Sequence, residues 1–320
     1  MRYKNLRNTD IKISEISAGT WGVGGRGWGG SDKDQCIKAL RAMVDLGVNL
    51  IDTAPVYGTG LAEEIVGEAF KGMRDKVIIA TKCGIKIDAP RGEGAGPRRI
   101  SNWEEIHAGC EASLKRLGMD YIDVLFIHWP DPNTPLKESM EAMNDLIKQG
   151  KLRYIGLSNH SIEMIEEAKK YADIACIQPP FSMVDQSAGD VIRWAAKNNI
   201  LSMTYGSLGA GILSGKIREL TSFGEGDVRG RFYSFFNEPG FSRVMELLKT
   251  IDKIAESRKV PQAQVAINWV TQKEFVLTAL VGVRTEEHAK ENCAAMDWSL
   301  SPEEMSVLDS EVDRLFGSAS

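Results

Sequence analysis

Cysteine is scarce in this chain: five residues in 320, odd in number, far apart and never spaced as CxxC. That excludes a disulfide framework and a zinc ribbon, and leaves Cys36, Cys83, Cys110, Cys176 and Cys293 as small apolar packing. Histidine is scarcer still, with four residues and no HExxH or other ligand spacing, so no metal is expected. No apolar run is long enough to cross a bilayer, and MRYKNLRNTD lacks the core of a signal peptide; a cytoplasmic protein with no membrane partner is expected. Nor does charge of one sign accumulate: 39 basic against 44 acidic residues give a net −5, with the basic residues scattered. That pattern offers no face to nucleic acid and points to a small-molecule partner. Nothing in it sets an oligomeric state.

Apolar residues are instead arranged with two alternating periods. Short runs rich in Val and Ile recur as EISAGT, VNLIDTA, KVIIATKC, YIDVLFIHW, RYIGLSN, IACIQPP, ILSMTY and VLTALVGV. Between them lie stretches such as QCIKALRAMVDLG, IHAGCEASLKRLG and SMEAMNDLIKQG, whose apolar positions fall three and four apart. Eight strand–helix alternations call for parallel strands with helical crossovers, and eight such units can close into an α/β TIM barrel. Ser161 reads as a helix N-cap, and Gly47, Gly118 and Gly150 as helix stops. RYKNLRNTDIKIS reads as a β-hairpin turning at Asn8 to Asp10 and capping the barrel floor. PQAQVAINWVTQK and SPEEMSVLDSEVDRL are two extra helices expected to pack outside the barrel. Residues 217 to 241 form an aperiodic insertion after the seventh strand, whose Phe232, Tyr233, Phe235 and Phe236 either line a cavity or pack on the rim.

A barrel gathers the C-terminal ends of its strands on one face. Asp52, Lys82, His128, Ser158 with Asn159, Gln178 and Tyr205 end strands two to seven, and Tyr57 follows Asp52 in its loop. An ammonium at the end of VIIATK needs a carboxylate, and Asp52 lies on the neighbouring strand. The charge beside Tyr57 is expected to lower its pKa from about 10 and make it a usable proton donor, with His128 orienting a carbonyl oxygen. No Ser or Cys sits in a nucleophile motif, so a hydride donor fits better than side-chain attack. The segment WGVGGRGWGG is no dinucleotide fingerprint, because its helix begins only near Asp32; it reads as a mobile first loop. GAGILSGK has the wrong spacing for a P-loop, yet its amides and Lys216 suit a pyrophosphate, and Arg284 before a helix N-terminus suits a phosphate.

DTAPVYG, IATK, IHWPDP, IGLSN, IQPPF, YGSLGAGILSGK and VGVRTEEHAKEN together resemble the aldo-keto reductase family over nearly the whole chain. FGEGDVRGRF and GVRT look most like its bacterial general-stress and sugar-type branch. The resemblance implies one TIM-barrel domain over residues 1–320 and a catalytic tetrad of Asp52, Tyr57, Lys82 and His128. It implies an NADPH-dependent oxidoreductase that reduces aldehydes or ketones, with Tyr57 as general acid; the alternative is an NADPH-binding redox sensor with slow turnover. Ser158, Asn159 and Gln178 would hold the nicotinamide carboxamide, and Tyr205 would stack on its ring. Thr20, Trp21 and Asp52 would adjoin it, Ser207, Leu208 and Lys216 would follow the pyrophosphate, and Gly282, Arg284, Thr285, His288, Glu291 and Asn292 the adenosine end. Trp21 and Trp129 would join Tyr57 and His128 as walls for a small carbonyl substrate. Ser207 replaces a frequent Pro, His288 a usual Gln or Arg, and Phe181 a frequent Tyr.

Overall fold

The computed structural model describes residues 1–6, 9, 11–86, 97–224 and 226–317. In chain order, the chain forms β1 (Tyr3–Asn5), β2 (Lys12–Ser14), β3 (Ile16–Gly19), α1 (Lys33–Asp45), β4 (Leu50–Asp52), α2 (Leu61–Ala69), β5 (Ile78–Cys83), β6 (Ile85–Lys86), β7 (Arg98–Arg99) and α3 (Trp103–Leu117). There follow β8 (Ile122–Ile127), α4 (Leu136–Lys148), β9 (Leu152–Ser158), α5 (Ile162–Ala168), β10 (Ile174–Gln178), α6 (Gly189–Lys197) and β11 (Leu201–Thr204). The remainder comprises α7 (Arg229–Phe232), α8 (Gly240–Arg258), α9 (Gln262–Thr271), β12 (Val276–Gly282), α10 (Glu286–Ala294) and α11 (Pro302–Phe316). Strands β3, β4, β5, β8, β9, β10, β11 and β12 close a parallel barrel in that order, β12 pairing back onto β3. This is the TIM barrel expected from the alternation.

Strand alternation sorts the side chains into two layers. Leu50, Ala80, Val124, Phe126, Cys176, Leu201, Met203 and Leu277 fill the barrel, while Ile51, Ile79, Leu125 and Ile127 face outward onto Leu40, Met43, Ile65, Ile106 and Met140 of the helices. Both faces are therefore apolar, and every residue of β8 is buried. The interior is filled so closely that a Cβ on Gly156 would stand 2.3 Å from the Phe126 ring, which accounts for the glycine in the middle of β9. All five cysteines are buried free thiols.

The β1–β2 hairpin lies under the strand starts: Leu6 and Ile13 extend the interior layer, and Lys4 Nζ donates to the carbonyls of Thr271 and Val276, 2.7 Å from each. Its turn, expected at Asn8 to Asp10, lies mostly outside the described residues. Ser161 caps α5 by accepting from Met164 N, and Gly47, Gly118 and Gly150 take positive φ at helix ends, as the sequence suggests.

Two helices exceed the crossovers, but one is not the segment expected. Helix α9, from PQAQVAINWVTQK, packs against β12 and is buried on nearly all sides, so it takes the seventh crossover. The outside place goes to α8, which packs on α9 and α11. The sequence pattern does not yield α8 because its start carries Pro239 and no side-chain cap. Among the described residues no helix is long and apolar enough to cross a membrane.

Candidate active site

Strands β4, β5 and β8 are neighbours, so the residues at their C-terminal ends meet. Asp52 closes β4, Lys82 is the penultimate residue of β5, and His128 follows β8. Both Asp52 and Lys82 are almost fully buried. Lys82 Nζ donates to Asp52 Oδ1 at 2.8 Å, to Asp52 Oδ2 at 2.9 Å and to the Thr53 carbonyl at 2.9 Å. An ammonium has three protons, and these three acceptors engage all of them. What faces Tyr57 is the charge alone: Nζ lies 4.8 Å from the centre of the phenol ring.

That arrangement corrects one expectation. The Tyr57 phenol is not acidified; burial pushes it well above its ordinary range, and the Asp52 carboxylate pushes it further the same way. Lys82 is itself held below its usual value by burial, against the opposing pull of Asp52. Asp52 thus offsets the ammonium's effect on the phenol, a balance set by geometry rather than by residue type. His128 is kept well below the imidazole range by burial and then by the Lys82 charge. At neutral pH the site therefore presents a neutral phenol and a neutral imidazole, with ring centres 6.2 Å apart and planes at 86°.

The first loop holds the phenol from the other side. A Cβ on Gly24 would stand 2.5 Å from Tyr57 C, and one on Gly58 would stand 2.3 Å from Gly24 O, so both glycines are required for the two backbones to touch. Trp21 then stacks on Tyr57 at 6.2 Å, with Trp28 at 5.2 Å and Phe232 at 6.1 Å edge-on to Trp21. Trp21 thus stands beside the phenol within an aromatic cluster. Phe235 and Phe236 are buried in the rim's core, whereas Phe232 is 64% exposed, so the aromatic quartet divides between packing and lining.

The loop read as mobile is organised by its own hydrogen bonds and by the long insertion. Gly27 bridges Asp227, and Val228 N donates to Gly27 O at 3.2 Å. Arg229 clamps Asp227 and lies 5.5 Å over the Trp28 ring, while Arg284 Nη1 donates to the carbonyls of Trp28 and Gly30. Nothing in the sequence announces this clasp, because each partner sits in an aperiodic segment.

A groove of polar groups leads away from the phenol. Gln178 Nε2 donates to Asp52 Oδ2 at 2.7 Å, and Ser158 Oγ to the Gln178 carbonyl at 2.9 Å. Asn159, at φ 61°, donates to His128 O and accepts from Tyr205 OH at 2.9 Å. The four residues expected at the carboxamide and the ring, Ser158, Asn159, Gln178 and Tyr205, thus form one linked network with Asp52 and His128. Thr20 is fully buried, and its hydroxyl and amide both donate to Asp52 O, so it braces the strand end. Beyond Tyr205 the chain turns through positive φ at Gly206, Gly209, Ala210, Gly211 and Gly215, with Ser207 buried and Leu208 packed on the core. Lys216 is largely exposed, 4.0 Å from Glu291. At the far end Thr285 caps α10 by accepting from His288 N, and Asn292 Nδ2 donates to Gly282 O. Burial lowers the His288 pKa first, and the charges of Lys216 and Arg284 lower it too. Two cations and a helix N-terminus at one end, with amide donors at the other, suit a long ligand with anionic groups in its middle and tail.

Among the described residues no cluster could hold a metal ion. The family model described as the aldo/keto reductase family matches residues 15–313. The chain belongs to this family. It is 37% identical to aldo-keto reductase YhdN of Bacillus subtilis over 95% of this chain and 91% of that protein. It is 31% identical to the NADH-specific methylglyoxal reductase of Escherichia coli, over 95% and 96% of the two chains. Its fold superposes on the glycerol dehydrogenase AKR11B4 of Gluconobacter oxydans with a TM-score of 0.91 at 34% identity, covering 99% of this chain and 97% of that one. As an aldo/keto reductase the chain is an oxidoreductase of small-molecule carbonyl compounds.

Proposed function

We propose that this aldo/keto reductase reduces aldehydes or ketones to alcohols with NADPH, and that Tyr57 protonates the carbonyl oxygen. The observation that carries the reading is the neutral phenol held against a saturated Lys82–Asp52 pair at the barrel mouth. When bound, a reduced nicotinamide supplies the two electrons and one hydrogen that the carbonyl carbon takes up. The groove fits that group: Ser158, Asn159 and Gln178 would hold its carboxamide and Tyr205 would face its ring. Ser207, Leu208 and Lys216 would follow the pyrophosphate. Gly282, Thr285, His288, Glu291 and Asn292 would surround the adenosine. Arg284, with Lys216 and His288 nearby, would meet a 2′-phosphate, which favours NADPH over NADH.

The residues of the chain then divide the work. Trp21 and Trp129 confine the substrate, His128 donates a hydrogen bond to its oxygen, and Tyr57 Oη gives up its proton as charge builds there. Lys82, whose Nζ lies over the phenol ring, stabilises the phenolate that results, while Asp52 and the Thr53 carbonyl keep the ammonium in place. Reversal of the same transfer makes Tyr57 the base in alcohol oxidation.

The pH dependence follows from the directions above. A phenol with a raised pKa stays protonated until the pH climbs through that raised value, so the acid form is present throughout the neutral range. Neutral His128 gains a proton only well below its ordinary value of about 6.5. Reduction should therefore show a flat kcat/KM across neutral pH with no step near the ordinary imidazole value, and a single fall at alkaline pH belonging to the Tyr57–Lys82 pair jointly. Oxidation should rise with pH instead. Steady-state assays on a panel of small aldehydes, run with NADPH and with NADH, check both the reaction and the cofactor preference. One slow turnover with NADPH retained would favour a redox-sensing role over a reductase.

A further inference from the structure

One cation at the barrel mouth belongs to neither the tetrad nor the groove. Arg99 lies on β7, which pairs antiparallel with β6 so that Arg99 stands opposite Ile85, three residues beyond Lys82. The same segment is tied to the barrel end by Ile100 N donating to Gly84 O at 3.0 Å and by Ser101 N donating to Asp131 Oδ2 at 2.9 Å. Arg99 therefore has a fixed address beside the loop that follows β8. Its guanidinium lies 4.7 Å from the centre of the Trp129 ring, and Trp129 is the residue after His128.

Among the described residues no carboxylate pairs with Arg99. Asp131, on the same rim, spends its oxygens on Ser101 N, Asn133 N and Thr134 Oγ1. Lys86, opposite on the hairpin, pairs with Glu105. A guanidinium lying over an indole can still direct N–H donors outward past the ring, and the contact with Trp129 restricts where they point.

We propose that Arg99 selects carbonyl compounds bearing an anionic group, a carboxylate or a phosphate, remote from the reacting carbon. This rests on the reading that Tyr57 and His128 address the carbonyl oxygen. The substrate would lie along Trp129, its carbonyl end at His128 and its charged end meeting the fork of Arg99, where two parallel N–H···O bonds match either anion.

The test compares matched substrate pairs: 4-oxobutanoate with butanal for carboxylate, and glyceraldehyde 3-phosphate with glyceraldehyde for phosphate. The intact protein with NADPH is assayed as wild type, Arg99→Gln and Arg99→Lys. In at least one pair, wild type should favour the charged member in kcat/KM. Arg99→Gln should shrink that ratio about tenfold, the modest value an exposed cation allows, and Arg99→Lys should fall between. The pair that responds identifies the anion. Ratios unchanged by Arg99→Gln in both pairs, or no charged preference in wild type, overturn the proposal. If wild type turned over no carbonyl at all, the reductase reading would fail first. Arg99 would then answer to tryptophan-fluorescence titrations with 4-oxobutanoate and glyceraldehyde 3-phosphate: weaker binding in Arg99→Gln supports it, and equal binding in both proteins overturns it.

Discussion

Replacing Tyr57 by Phe should lower kcat/KM for aldehyde reduction roughly a hundredfold to ten-thousandfold, the range for removing a positioned general acid. The substitution deletes one oxygen and keeps the ring, so the stack on Trp21 and the contact with Lys82 survive. Cofactor affinity should change little, because none of the groove's linked hydrogen bonds passes through the Tyr57 hydroxyl. The two readouts separate chemistry from binding: a fall in kcat with an unchanged NADPH dissociation constant assigns the loss to proton transfer. A variant with full turnover would remove Tyr57 as the donor. Loss of NADPH binding in proportion to activity would make it a structural residue instead.

The second large effect is on stability as well as rate. Lys82→Met should destabilise the fold by about 3–5 kcal/mol, because it leaves the Asp52 carboxylate buried without its cation. Asp52 is almost fully buried, and after the substitution only Gln178 Nε2, among the described residues, still donates to its carboxylate. The Thr53 carbonyl also loses its donor. Adding Asp52→Asn removes the stranded charge and should restore a good part of the stability while leaving the enzyme inactive. Urea melts of the single and double variants give the comparison at constant m. A Lys82→Met protein as stable as wild type would mean that the pair does not carry the energy its burial suggests.

Much of this was legible in the residues. Runs such as YIDVLFIHW, apolar on both faces, require a strand covered on two sides, and eight of them separated by helical periods leave the barrel as the closed solution. Once the barrel is drawn, Asp52, Lys82 and His128 must converge, and the structure brings them together. What could not be read was the count of acceptors around one ammonium. Burial first, and then the Asp52 carboxylate, push the phenol up rather than down, while the Thr53 carbonyl and both Asp52 oxygens accept from Lys82. Backbone acceptors have no residue-type signature, and neither has the cost of burial.

The same reasoning explains the other differences. Helix α8 has helical spacing but no starting cap, so the insertion hides its first turn. The clasp of Gly27 with Asp227, locked by Arg229 and Arg284, joins residues some two hundred positions apart in segments that carry no period. Arg99 carries no signal in the sequence for the opposite reason: an exposed arginine is ordinary, and only its place over the indole that adjoins His128 sets it apart.

The most direct measurement of the central claim follows label rather than rate. NADPH deuterated at its transferable position is incubated with wild-type protein and an excess of a small aldehyde, and the alcohol is examined by mass spectrometry. One deuterium on the former carbonyl carbon in each alcohol molecule, formed over many turnovers, is the predicted result. Alcohol without the label, or NADPH consumed with no alcohol formed, would contradict it.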